Sequence, residues 1–366
     1  MLSQGQKPVN TNVDNVQSII IPEEASLWTV MTPSKIDDSL ALPRDKRLVV
    51  ATATPVTVDL APDGILLAAH CRMLMAAGAD GIALFGTTGE GPEFSLRDRR
   101  ASLEAVLAAG IPARRLIVSA TALALPDIIE LSRHAIDAGV DSVLLMPPCV
   151  FRSGITDEGT YRFYASAIER TAKNRDLRLC LYHYPDICGV PLKPTVVRRL
   201  DENFPGSIAG IKDSGGDLGF TETLIRSFGH LGVFTGTETH IPTALAVGAR
   251  GTICGLGNVM PRLMRAMLDA PTAFDGRRIA QLVISGDAIL SRQSFAASIK
   301  AVLAYATGKA DWNRLVPPLN KISQPEHRWL LRDFAAWESA LPPSMRSMTS
   351  DAPLGATNVF PLRRAL

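Results

Sequence analysis

Eight short apolar runs recur through the middle of the chain. They are LVVATAT (48–54), GIALFG (81–86), RLIVSAT (115–121), SVLLMPP (142–148), LRLCLYHYP (177–185), SIAGIKD (207–213), LGVFTG (231–236) and GTICGLG (251–257). Each is bounded by Gly, Pro or charged residues and lacks clean polar alternation, the pattern of strands covered on both faces of a parallel sheet. Between them lie segments with a helical apolar period. ILLAAHCRMLMAAG, SLRDRRASLEAVLAAG and LPDIIELSRHAIDAG each end in Gly, a common residue just past a helix. TDEGTYRFYASAIERTAKN offers Thr156 as an N-cap, and GFTETLIRSFGH and IPTALAVG are shorter helical candidates. This alternation predicts an α/β fold, a (β/α)8 TIM barrel over 47–260. No G-x-G-x-x-G follows the first strand, so an open doubly wound sheet fits less well. Residues 261–340 read as the last barrel helix plus additional C-terminal helices.

The ends differ from this rhythm. Residues 1–46 are polar, with short apolar pieces and no sustained period, and read as a surface-wrapping or partly disordered extension. Residues 341–366 are rich in Pro and Ser and read as a tail. The opening residues are too polar for a signal-peptide core, and no run of about 18 apolar residues occurs, which predicts a cytoplasmic protein without a membrane span.

Composition narrows the function classes. Among 366 residues, 38 basic and 36 acidic side chains nearly cancel, which argues against a dedicated nucleic-acid binder or a polybasic membrane protein. Five cysteines without CxxC spacing fit a reducing compartment better than a disulfide framework or a four-cysteine metal site. The six histidines show no HExxH or other dense ligand spacing, so no metal is expected. A soluble enzyme acting on a small molecule remains.

In a barrel, catalytic side chains belong at the C-terminal ends of the strands. Only 9 lysines stand against 29 arginines, so Lys212, inside the apolar sixth run, stands out. Burying an ammonium is costly, and the same cost favours the free amine that a Schiff-base nucleophile requires. The plainer reading is a strand-end lysine paired with Asp213 or Asp217. Tyr182 ends the fifth run, one strand away, where a phenol serves as a general acid and base. Tyr184 shares its side of the strand, while His183 should face the helix layer as a structural histidine. After the second run, Gly86, Thr87, Thr88 and Gly89 allow close backbone approach and offer amide and hydroxyl donors for a carboxylate; a tight Thr-capped turn explains them equally well. Glu90 carries charge without an obvious chemical task. Gly236, Glu238 and Thr239 after the seventh run are candidates for polar substrate contacts. Cys254 after the eighth would line the pocket base, as a small filler and not a nucleophile.

Together these pieces resemble the dihydrodipicolinate synthase / N-acetylneuraminate lyase family of class I aldolases. The resemblance rests on GTTGE (86–90), YHYP (182–185) with Gly189 following, GIKD (210–213) and the glycine-bearing ends of strands seven and eight, and it covers roughly residues 47–316. It implies that Lys212 forms an imine with pyruvate or a related 2-oxo acid and that no separate cofactor is used. It also implies that Tyr182 relays protons, with Thr87 and Thr88 contacting the 2-oxo acid carboxylate and the tyrosine hydroxyl. The family usually assembles as a homo-oligomer, a dimer or tetramer. Two departures bear on the substrate. The synthases carry an arginine where Ile187 stands and an interface tyrosine in the region that here reads Pro148, Cys149, Val150 and Phe151. Ser214 and Glu238 fall where sialic acid lyase-like members touch substrate hydroxyls. The site residues therefore match most closely an aldolase of a 2-keto-3-deoxy sugar acid. A dehydratase using the same imine, a dihydrodipicolinate synthase-type enzyme and a non-catalytic 2-oxo acid-binding barrel are the alternatives.

Overall fold

The computed structural model describes residues 46–150, 152–172 and 176–347. The expectations for the N-terminal extension, for Phe151 and for most of the tail lie outside the described residues.

Eight parallel strands close into a barrel in sequence order. They are β1 (Arg47–Ala51), β2 (Gly81–Leu84), β3 (Leu116–Ser119), β4 (Ser142–Leu145), β5 (Leu179–His183), β6 (Ile208–Asp213), β7 (Val233–Thr235) and β8 (Gly251–Cys254). Closure comes from β1 pairing with β8, where Leu48 lies opposite Thr252 and Val50 opposite Cys254. Alternate residues of each strand face alternate sides. Val49, Ala51, Ala83, Ile117, Leu144, Cys180, Phe234 and Ile253 fill the barrel interior. Leu48, Val50, Ile82, Leu84, Leu116, Val118, Val143 and Leu145 face the helices in a second, larger cluster. Because both faces are buried, the strands read as continuous apolar runs.

The helices around the barrel are α1 (Gly64–Ala76), α2 (Leu96–Ala108), α3 (Leu125–Asp137), α4 (Asp157–Thr171), α5 (Pro185–Cys188), α6 (Pro194–Asn203), α7 (Leu218–Phe228) and α8 (Ile241–Ala246). Four of their starts, those of α1, α2, α4 and α7, are set by side chains that satisfy otherwise orphaned amides. Asp63 accepts from Leu66 N, Ser95 from Asp98 N, Thr156 from Gly159 N and Asp217 from Phe220 N. Gly78, Gly110 and Gly139, the glycines that close the first three helical segments, all have positive φ, as a left-handed helix stop requires. Four further helices follow β8: α9 (Pro261–Leu268), α10 (Ala273–Leu290), α11 (Phe295–Thr307) and α12 (Gln324–Ala340). No helix among the described residues is long and apolar enough to cross a membrane.

One polar junction ties the barrel shut between its last and first strands. Asn258, which follows β8, accepts from Ala53 N (2.9 Å) and donates to Ala51 O (2.8 Å) and Gly255 O (2.7 Å). His70 of α1 meets the same Asn258 Oδ1 at 2.9 Å through Nε2. An amide oxygen only accepts, so His70 holds its proton on Nε2.

Candidate functional site

The strand register brings the principal candidates together. Tyr182 of β5 lies directly opposite Lys212 of β6, and Phe234 of β7 flanks Lys212 on its other side. Lys212 is 4% exposed and Tyr182 3%. The Lys212 ammonium stands 4.2 Å from the centroid of the Tyr182 ring, a cation–π contact in a site largely closed to water. The Tyr184 ring packs 5.9 Å from that of Tyr182.

Neither carboxylate of the plainer reading pairs with Lys212. Asp213 points the other way along the strand, where its Oδ2 accepts from Thr221 Oγ1 (2.6 Å) and its Oδ1 from Gly215 N (3.0 Å). Asp217 caps α7. His183 also faces the helix layer, accepting from Leu192 N at 3.0 Å through Nδ1 and packing against Phe220. Burial holds its imidazole below the usual range, against the opposing pull of Asp213. It is the structural histidine that alternation along the strand predicts.

Gly236 sits against the lysine. A Cβ there would overlap Ser214 Oγ and stand 3.1 Å from Lys212 Cε, so the ends of β6 and β7 can approach only because this residue has no side chain. Ser214 is thereby placed beside Lys212. Thr88 reaches the end of β8: a Cβ on Gly255 would lie 3.0 Å from Thr88 Oγ1 and 2.9 Å from Phe295 Cζ. Thr87 and Thr88 are both partly open to solvent, whereas Gly86 is buried.

The turn that carries the threonines differs from an open anion nest. Gly89 N and Gly91 N donate to Gly86 O (3.1 and 3.2 Å), and Glu90 N to Thr87 O (3.2 Å). Three of its amides therefore close the turn on itself, and its free donors are those of the two threonines. Phe85, which enters the turn, and Glu90, which leaves it, are both left-handed, with φ of 60° and 54°. Such a conformation is costly for side-chain-bearing residues and persists only when the surroundings hold it. Gly91 has no alternative, since a Cβ there would overlap the Phe85 carbonyl. Glu90 itself forms a buried ion pair with Lys300 of α11, and its Oε2 accepts from Val316 N at 2.8 Å. The glutamate of this motif is thus an anchor to the C-terminal helices.

Glu238 stands at the end of β7. Its Oε1 accepts from Gly255 N (3.2 Å) and Leu256 N (3.1 Å). Loss of water, with Asp287 of α10 nearby, pushes its carboxyl up to about 6 against the pull of the Leu256 amide, its own amide and Lys212. Tyr184 is also raised, first by burial and then by Tyr182, Asp186 and Glu238. Thr239, the next residue, is exposed.

Cys254 corrects one expectation. It packs in the outer cluster between strands and helices, while its neighbour Ile253 faces the barrel interior. Strand alternation allows only one of two successive residues to line the pocket, so Cys254 does not; burial pushes its thiol up to about 12, in keeping with an inert filler. Phe295 and Asp287 were not legible as site neighbours, because they come from α11 and α10, whose approach depends on how the C-terminal helices pack. Among the described residues no group of three or more His, Cys, Asp or Glu is placed to hold a metal ion.

Comparison with known proteins agrees with this architecture. The chain is 37% identical over 224 residues to an uncharacterized DapA-like lyase of Chloroflexus aurantiacus, covering 61% of this chain and 74% of that protein. It is 34% identical to the 4-hydroxy-tetrahydrodipicolinate synthase of Corynebacterium diphtheriae, covering 60% of this chain and 70% of that one. The crystal structure of dihydrodipicolinate synthase from Agrobacterium tumefaciens superposes with a TM-score of 0.73 at 30% identity, over 80% of this chain and 99% of that chain. The model of the dihydrodipicolinate synthetase family matches residues 44–333. With that match spanning most of the chain, on a closed barrel with a buried lysine at the end of its sixth strand, the protein belongs to the dihydrodipicolinate synthetase family and is a lyase of the aldolase type.

Proposed function

We propose that the protein is a class I, imine-forming aldolase that releases pyruvate from, or adds it to, an aldehyde, with a 2-keto-3-deoxy sugar acid as its substrate. The observation that carries this reading is the Lys212–Tyr182 pair: a buried ammonium with no carboxylate partner among the described residues, 4.2 Å from the ring of a buried tyrosine. A structural lysine this buried is normally found in an ion pair, as Lys300 is with Glu90. An unpaired one at a strand end is suited to nucleophilic attack.

In the cleavage direction the free amine of Lys212 attacks the C2 carbonyl and water leaves, forming the protonated imine. Tyr182 takes the C4 hydroxyl proton, the C3–C4 bond breaks, and its electron pair moves into the imine to give an enamine. The aldehyde departs, C3 is protonated, and water hydrolyses the imine to pyruvate and free lysine. Thr88 and Thr87 hold the carboxylate and the relay, Gly86 lets them approach, and Ser214, Gly236, Glu238 and Thr239 face the hydroxylated arm. The lysine itself is the electron sink, so no further cofactor enters this scheme.

The relatives named as 4-hydroxy-tetrahydrodipicolinate synthases favour a second reading, condensation of pyruvate with an amino-aldehyde. Against it stand Ile187, an exposed apolar side chain where the synthases carry arginine, and Cys149 in the loop where they carry a tyrosine. Borohydride reduction in the presence of pyruvate, followed by peptide mapping, tests the imine: the expected adduct is on Lys212, and Lys212→Ala should lose it together with all turnover. Turnover surviving in that variant would end the proposal. A panel of 2-keto-3-deoxy acids and aspartate semialdehyde then separates cleavage, dehydration and synthase chemistry by product.

A further inference from the structure

Behind the threonine turn, α11, the segment between Asn313 and Ile322 and the start of α12 enclose a cavity of about 190 Å³. Lys300, Lys321, His327, Asn313 and Gln324 line it, and no acidic residue does. All five side chains carry donors, and two of them are ammonium groups. Lys300 is buried and uses two of its three N–H groups, on Glu90 and on Arg314 O (2.9 Å). That leaves one N–H on a side chain that lines the cavity and is 1% exposed. Lys321, His327, Asn313 and Gln324 make no side-chain hydrogen bond or ion pair among the described residues. At about 30 Å³ per water the space holds roughly six waters. It is smaller than the about 300–1,000 Å³ of pockets for drug-sized molecules, and suits one compact ion with a little of its hydration.

We propose that this cavity is a binding site for a small multivalent oxyanion, a phosphate or a short dicarboxylate, held between Lys300, Lys321 and His327. The site also communicates with the barrel mouth. Glu90, the partner of Lys300, ends the turn that carries Thr87 and Thr88, and also accepts from Val316 N. An anion on the third donor of Lys300 draws that ammonium away from Glu90, so occupancy acts on the threonine turn through one side chain. This second clause rests on the pyruvate reading above, whereas the anion site does not.

The test is isothermal titration of the whole chain with inorganic phosphate and, separately, with malonate, at low ionic strength and without any 2-oxo acid. Saturable binding of either ion is expected, and which of the two binds more tightly identifies the anion geometry. The double variant Lys321→Gln/His327→Gln should weaken binding at least tenfold while melting at the wild-type temperature in anion-free buffer; if it melts lower, Lys321→Glu alone, at an exposed position, gives the same reading. Absence of saturable binding, or equal affinity in the variants, would overturn the site. The KM for pyruvate should change by threefold or more at saturating anion, and by linkage pyruvate should change the anion affinity by the same factor. An unchanged KM would remove the coupling and leave the anion site standing; absence of a pyruvate adduct on Lys212 would instead indict the proposed chemistry.

Discussion

At the scale of single residues, the site depends on what is missing as much as on what is present. Gly236 contributes no side chain, and the 3.1 Å between its would-be Cβ and Lys212 Cε measures how little room the lysine has. Gly236→Ala should leave the barrel folded but displace Ser214 and the lysine stem. The rate of borohydride-trapped adduct formation should fall at least tenfold, with a loss in melting temperature of only a few degrees. An unchanged trapping rate would mean that the lysine has slack the structure does not show. Glu238 allows a sharper test because its protonation is set by burial. Its carboxyl titrates near 6 in the fold against an ordinary value of 4.5. Between those values the folded chain holds a proton that the unfolded chain has released, so stability falls as pH rises from 4.5 to 6 and stays lower above it. The cost is about 1–2 kcal/mol by linkage. Glu238→Gln keeps a carbonyl oxygen for the Gly255 and Leu256 amides and removes the titration. Urea midpoints at pH 4.5 and 7 should therefore lie closer together in the variant, provided the other groups titrate alike. Midpoints that diverge by the wild-type amount would assign the cost elsewhere.

Elements come together here through polar pins as well as apolar packing. The Lys300–Glu90 pair, 1% exposed on both sides, fastens α11 to the turn after β2. Removing one partner leaves the other buried and uncompensated, typically at a cost of about 3–5 kcal/mol. Lys300→Met should therefore destabilise far more than Lys321→Met, whose lysine is exposed, as compared by chemical denaturation; similar losses would show that Glu90 finds another partner. That pin was invisible in the sequence, because Glu90 and Lys300 are far apart in the chain and belong to no common motif. The strands were legible because burial on both faces writes itself as apolar runs, but their ends were overshot. The fourth run extends to Pro148, yet β4 stops at Leu145, since Pro147 and Pro148 have no N–H to pair. Helix α6 leaves no such apolar signature, because six of its ten residues are charged or polar and it starts at a proline. Cys254 departs from its expected place by one step of the strand period, which is enough to turn a side chain from pocket to outer core. The meeting of Lys212 and Tyr182 on adjacent strands could be read, since a lysine and a tyrosine in apolar strands conflict with simple burial and stand out as candidates.

The molecule as a whole closes its barrel on an uncharged histidine, and this gives it an acid limit. His70 is fully buried between Asn258 and Trp312, its ring 5.0 Å from the indole. Burial lowers its pKa from 6.5 to about 4, against the raising effect of the Asn258 bond. Both effects follow from position: the cation would lose its water, and Asn258 Oδ1 already receives Ala53 N as well as His70. The sign of the linkage is opposite to that at Glu238. Below pH 6.5 the unfolded chain takes up a proton that the folded chain refuses until about pH 4, so stability falls as pH drops through that window and His70 contributes no further slope below it. The full loss is about 3 kcal/mol, a large share of the 5–15 kcal/mol typical of a folded protein. Because Asn258 joins the end of β1 to the end of β8, opening this junction unzips the barrel seam and not merely one helix. His70→Gln keeps a donor for Asn258 Oδ1 while abolishing the proton uptake. It should lower stability at pH 7 through imperfect packing against Trp312, yet lose about 2–3 kcal/mol less than the wild type between pH 7 and 4.5. Chemical denaturation at the two pH values measures the difference directly. Equal losses in both proteins would place the acid limit on the carboxylates, and His70 would then be a packing residue whose charge state the fold does not feel.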